Sequence, residues 1–280
     1  MPTIQITEYT DPACPFAWSA EPSRRRIEWL YGDQVEISPR MVGLSEDTEE
    51  MARKGLTPAM LARGSAHLAA AHHMPIDTSE RPRLAASVPA CRAVVAVRLQ
   101  APEQERAMLR ALRVLSFAGE LLDDDLTLGH AAERASVDPG ELERWLAEPE
   151  TEAALRQDMA AARAPSPEAV ALPGKLATEG SSDTGYRYTC PSWELVHDGR
   201  TASVPGFQPT AAYEVAIANL LRSSPVARTR ATSPRCCAGR ASRWRPPRSP
   251  SSAGSGSPTP VSSSGASPSR STSAPTGCGH

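Results

Sequence analysis

From residue 223 to residue 280 the sequence contains no leucine, isoleucine, methionine, phenylalanine or tyrosine. A stretch built from Ser, Pro, Arg, Ala, Gly and Thr buries too little apolar surface to offset the entropy of ordering a chain. Residues 223–280 are therefore expected to be a disordered basic tail, and any fold must come from residues 1–222. Charge divides at the same point. The first 222 residues carry 22 Lys+Arg against 32 Asp+Glu, the tail carries eight arginines and no acid, and the whole chain balances at −2. An acidic folded part has no electrostatic pull toward nucleic acid, so no nucleic-acid partner is expected. The tail uses residues of GC-rich codons, and the change falls inside a good helical pattern. Both features point to a shifted reading frame near residues 222–235. The nucleotide sequence tests this, because a true shift requires an alternative frame that restores an amphipathic segment containing Leu and Glu.

The remaining chain is long enough for one large domain or two modest ones, and a hydrophobic content of 40% supports a core without covalent staples. The opening "MPTIQITEY" alternates Ile4 and Ile6 with polar residues and lacks a charged, apolar leader, so it reads as a strand. No run approaches the ~18 apolar residues of a membrane span. The expected compartment is the cytoplasm, with no membrane partner. Cysteines at 14, 91, 190, 236, 237 and 278 show no C-x-x-C spacing, and no histidines cluster near them. That excludes the usual zinc pattern and a disulfide framework alike. Cysteine chemistry must come from residues that the fold brings together.

Residues 3–9 and 34–42 read as strands on either side of "PFAWSAEPSRRRIEWLYGD", a helical stretch with Gly32 as its stop. A strand, helix, strand order favours a parallel pair with a crossover. Pro15 suits the first helical turn, whereas Pro22 should kink the helix near Ala20 and Glu21. Residues 47–163 become helical in composition, with helices expected at about 57–71, 83–99, 103–118, 127–135, 139–147 and 150–163. Residues 164–186 are rich in Pro, Gly and Ser and read as a long loop. Two strand-like runs then surround Asp198-Gly199, a strong hairpin signal, before a helix at about 209–222. The organisation is an α/β domain in two parts, 1–46 and 164–222, interrupted by an all-helical insertion at 47–163 and followed by the tail at 223–280.

The stretch "DPACPFAW", residues 11–18, places Cys14 at a strand-to-helix turn. Unpaired backbone N–H groups and the positive end of the helix dipole favour thiolate there. A buried, inert cysteine is the competing reading, since free cysteine behaves as a small hydrophobe. The turn resembles the active-site turn of DsbA-like thioredoxin-fold oxidoreductases, in which C-P-x-C opens the first helix. "TCPSWELVHDG" and "VPGFQPTAAYEVAI" are similar to that family's C-terminal half, and the likeness spans roughly residues 3–222. The resemblance implies an α/β thioredoxin-like fold with a helical insertion, Cys14 as nucleophile and Pro191 as a cis-proline facing it. Pro15, Phe16, Trp18 and Pro191 would shape the substrate groove, although core packing explains Trp18 equally well.

Two departures from the family pattern matter. Ala17 stands where the resolving cysteine would be, so the turn cannot close a disulfide within itself. The residue before Pro191 is a cysteine, Cys190, and in this fold it lies against the turn. Bridging it to Cys14 would require Cα atoms about 4.4–6.8 Å apart. Three activities follow: a disulfide oxidoreductase in which Cys190 resolves, a monothiol enzyme, or a relative of the kappa-type glutathione transferases and chromene-carboxylate isomerases that activates a bound thiol. An inactive remnant is the non-enzymatic alternative. No cofactor is expected under the first reading, and a low-molecular-weight thiol under the third; the partners are protein or small-molecule thiols and disulfides.

Other candidates read as structural. His72 and His73 point apart on a helix and suit a solvated surface, Asp123-Asp124-Asp125 suit a helix start, and Cys91 suits a helix core. Cys236, Cys237 and Cys278 are expected to be exposed tail thiols.

Overall fold

A computed structural model describes residues 3–221. The expectations for the tail, its three cysteines and the reading frame lie outside the described residues. Strand β1 (Ile4–Thr10) pairs in parallel with β2 (Val35–Met41), in register from Ile4 opposite Val35 to Thr10 opposite Met41. The intervening helix is divided at Ala20 into α1 (Pro15–Ser19) and α2 (Glu21–Tyr31). Pro22 causes the division, because it lacks the N–H an unbroken helix would use and is tolerated only in the opening turn of a new one. Gly32 ends α2 with a φ of 53°, a conformation that glycine adopts without strain.

Helices α3 (Thr48–Arg53), α4 (Pro58–His72), α5 (Val88–Gln100), α6 (Glu105–Phe117), α7 (Asp125–Arg134), α8 (Pro139–Leu146) and α9 (Pro149–Ala162) follow. Helix α3 has no counterpart in the sequence reading; Asp47 starts it by accepting a hydrogen bond from the Glu50 N–H. Helix α5 begins at residue 88 instead of 83, since Pro89 lacks the N–H that a helix started at 83 would use and is tolerated only in a first turn. Asp124 caps α7 through the Leu126 N–H, and Asp123 binds Arg83, so the acidic triplet serves structure.

Residues 164–186 are more ordered than a plain loop. They hold α10 (Pro167–Val170), capped by the Ser166 hydroxyl, and β3 (Leu176–Thr178), which pairs antiparallel with β4 (Tyr186–Tyr188). The strand-like run expected ahead of Asp198-Gly199 is accordingly broken. β4 joins β3 in a separate sheet, the Cys190–Pro191 peptide bond is cis, and β5 (Ser192–His197) starts only after it. β5 and β6 (Arg200–Val204) form the hairpin read from Asp198-Gly199, whose φ values of 48° and 73° are those of a type I′ turn. Helix α11 (Thr210–Leu221) completes the described chain.

The main sheet has the order β2-β1-β5-β6, mixed in direction. One core joins it to α2 and α11 through Ile4, Ile6, Ile27, Trp193, Leu195 and Ile217. A second lies in the helical segment around α5, where Ala90, Cys91 and Ala93 to Val97 are fully buried, as the nearly continuous apolar run of this helix requires. A small third cluster of Cys14, Ala17, Val42, Ala162 and Cys190 draws on both parts of the chain. Among the described residues no helix is long and apolar enough to cross a membrane.

Candidate active site

Asp11 fixes the turn that carries Cys14. One carboxylate oxygen accepts from the Ala13 N–H at 2.8 Å, closing a tight Asx turn directly before the cysteine. The other accepts from the Leu44 N–H and the Ser87 hydroxyl, each at 2.8 Å, and from the Cys91 thiol at 3.4 Å. The end of β1, the loop after β2 and the start of α5 thus converge on one fully buried side chain. The sequence reading passed over Asp11; its place three residues ahead of a cysteine at a strand end was the available signal.

Cys14 is the N-cap residue of α1, with Pro15 in the first turn. Its sulfur lies 3.3 Å from the carbonyl oxygen of Cys190, to which the thiol donates when protonated. Cys14 is held below the ordinary thiol range, first because the Cys190 thiol donates to its sulfur, while burial opposes the shift. The backbone N–H groups of Ala17 and Phe16 add to the lowering, and the Asp11 charge works against it. The helix start singled out from sequence does act on the sulfur, but Cys190 contributes more. Cys190 is pushed well above its ordinary value, by burial first and then by the hydrogen bond and charge of Cys14. Cys91 is likewise pushed up by burial and the Asp11 charge, which makes it an inert thiol. A thiol held below its ordinary range beside one pushed above it forms an asymmetric pair. Both are buried, at 5% and 6% exposure.

The remaining candidate residues divide. Pro15 is half-buried and Pro191 buried. Phe16 is exposed at 41% and meets Phe207 and His72, whose rings lie 5.8 and 6.2 Å away. His72 also contacts Phe207 at 4.8 Å, so it is half-covered by aromatic rings instead of standing free in solvent as expected. Trp18 is 5% exposed. Its indole stacks on Phe117, lies under the Arg110 guanidinium and donates to the Pro75 carbonyl at 3.0 Å. These contacts match the core alternative left open for it, and its ring is turned into the helical segment.

A family model for the DSBA-like thioredoxin domain matches residues 5–166. The chain belongs to the DSBA-like thioredoxin family. The α/β fold with a helical insertion in this DSBA-like protein is shared with solved structures of low sequence identity. A probable DsbA oxidoreductase from Streptomyces coelicolor is 20% identical with a TM-score of 0.55, covering 79% of this chain and 91% of its own. A cytosolic disulfide reductase, DsbM, from Pseudomonas aeruginosa is 15% identical with a TM-score of 0.52, covering 78% and 97%. No curated protein sequence matches the chain.

Proposed function

We propose that this DSBA-like protein is a thiol–disulfide oxidoreductase whose redox pair is Cys14 and Cys190, one cysteine from each side of the site. The observation that carries the reading is the Cys14 sulfur lying 3.3 Å from the Cys190 carbonyl oxygen, with both cysteines in one small buried cluster; the opposed shifts of the two thiols agree with it. In the reducing direction, the Cys14 thiolate attacks one sulfur of a substrate disulfide, the S–S bond breaks, and one thiolate leaves to take a proton from solvent. Cys190 then loses its proton and attacks the Cys14 sulfur. The second substrate thiolate departs, and the two electrons gained by substrate equal those lost on forming the Cys14–Cys190 bond. A dithiol reductant restores the pair, and no bound cofactor takes part. Pro191 borders the site through its peptide bond with Cys190, and Phe16 and Pro15 offer surface beside the turn.

Cys14→Ser is expected to abolish disulfide exchange, and Cys190→Ser to accumulate mixed disulfides on Cys14. Mass spectrometry of the oxidised protein reads both outcomes. Unchanged turnover in Cys190→Ser would remove Cys190 from the mechanism and leave Cys14 as a monothiol or as the activator of a small thiol.

A further inference from the structure

Beside the turn lies a cavity of about 350 Å³ that none of the chemistry above uses. Ala13 and Pro15, the residues on either side of Cys14, form part of its wall. Most of the wall is apolar, including Leu44, Met51, Leu56, Met60, Leu61 and Leu68; Cys14 itself stands just outside it, between Ala13 and Pro15, and Pro191 and Cys190 are not in it. The cavity is therefore distinct from the cis-proline side of the site. Helix α4 supplies much of the wall, yet none of its residues is buried. Its apolar side chains face open volume instead of a packed core, an arrangement that favours a bound apolar molecule.

The charged residues on the wall are already committed. Lys54 binds Glu50 at 2.6 Å, and Arg83 grips both oxygens of Asp123. Arg81 donates to the backbone carbonyls of Ser116 and Glu120, while Asp77 accepts from the N–H and hydroxyl of Ser79. A charged ligand would find no unpaired counter-charge there, and its desolvation would go uncompensated.

From this geometry we infer that the cavity takes the uncharged, apolar body of a small organic disulfide, bringing its sulfurs up to Cys14 over the edge of the turn. The inference rests on the redox reading above and names its substrate class. The reaction is the same two-step exchange, and a single turnover of the reduced protein supplies the electrons.

The test uses the reduced full chain in single turnover with two neutral disulfides, aromatic dithiodipyridine and small, hydrophilic hydroxyethyl disulfide. Leu68→Glu places a charge on the wall at a helix position that carries no core packing. The variant is expected to lower the ratio of the dithiodipyridine rate to the hydroxyethyl disulfide rate by about tenfold. An unchanged ratio overturns the inference while leaving Cys14 as nucleophile; failure of Cys14 to react with either disulfide overturns the redox reading instead. A second measurement decides the cavity independently of reactivity. Titration with benzylpyridine, a neutral molecule without sulfur, is expected to shift the NMR methyl signals of Met51 and Met60 and leave the core methionines Met41 and Met108 in place. No shift, or a uniform shift of all four, counts against the site.

Discussion

At the scale of single residues, the site is governed by how two side chains and the backbone at the start of α1 treat one sulfur. The Cys190 thiol donates to it, the α1 N–H groups donate to it, and Asp11 opposes its charge. Cys14 should therefore be alkylated with a midpoint below the ~8.5 of an ordinary thiol. Replacing Cys190 by alanine removes the first of the lowering interactions, so the midpoint should move upward; peptide-resolved iodoacetamide labelling against pH measures this. A midpoint that stays put would mean the helix start alone activates Cys14. Asp11 has a different weight. Asp11→Ala strands the donors of Ala13, Leu44 and Ser87, and hydrogen bonds to a charged group contribute about 1.5–3 kcal/mol each. A loss of at least about 3 kcal/mol in denaturant unfolding is expected, within the range for a broken buried network.

Among the elements, the helix pair α1–α2 shows where local chemistry and tertiary contact divide the work. Pro15, Pro22 and Gly32 specify a start, a break and a stop from sequence alone. Which face of α1 meets the core is another matter. Trp18 is sandwiched by Phe117 and Arg110, both contributed by α6. Trp18→Ala is expected to cost about 3–5 kcal/mol, as for other large aromatic truncations. Trp18→Phe should cost clearly less, because stacking survives while the hydrogen bond to Pro75 is lost. Glu105, at the start of α6, gives a pH signature. Burial pushes its carboxyl up to about 7, with Arg98 at 3.7 Å opposing. The folded state thus holds this proton more tightly than the unfolded chain, whose glutamate titrates near ~4.3, so this group's contribution makes stability fall as pH rises from about 4 to about 7. Comparing denaturation at about pH 4 and about pH 8, Glu105→Gln should lack that part of the fall. An identical pH dependence in variant and wild type would show that Glu105 is not responsible.

For the molecule as a whole, a buried ionic network ties the helical segment to the sheet. Arg24 binds Glu8 at 2.8 Å, and Arg113 reaches Glu21 at 3.0 Å, Glu8 at 3.7 Å and the Thr10 hydroxyl. Burial pushes Glu21 up, but Arg113, Arg24 and Arg25 together hold it below the usual carboxylate range. Arg113→Met is expected to cost about 3–5 kcal/mol, because two carboxylates lose a cation in a dry site. Thermal and denaturant unfolding measure this, and a loss under about 1 kcal/mol would mean water enters the network. Nothing local in the sequence around Arg113 marks its partners, which lie roughly a hundred residues away. The elements themselves were far more legible. The strand alternation of Ile4 and Ile6, the prolines at helix starts and the Asp198-Gly199 turn are all written in spacings of a few residues, which is the range over which backbone sterics and capping act. Helix α3 and the strand β3 escaped because each is too short for periodicity to register. The sequence by itself determined the order of the main-sheet strands and the longer helices, the position of Cys14 at a helix start and the loss of its usual partner to Ala17. Only the tertiary structure decided that Cys190 meets Cys14, that Asp11 gathers three segments and that an apolar cavity opens beside the turn. The reason is that such contacts depend on how separate elements pack, and packing joins residues whose separation along the chain carries no periodic or steric trace of the meeting.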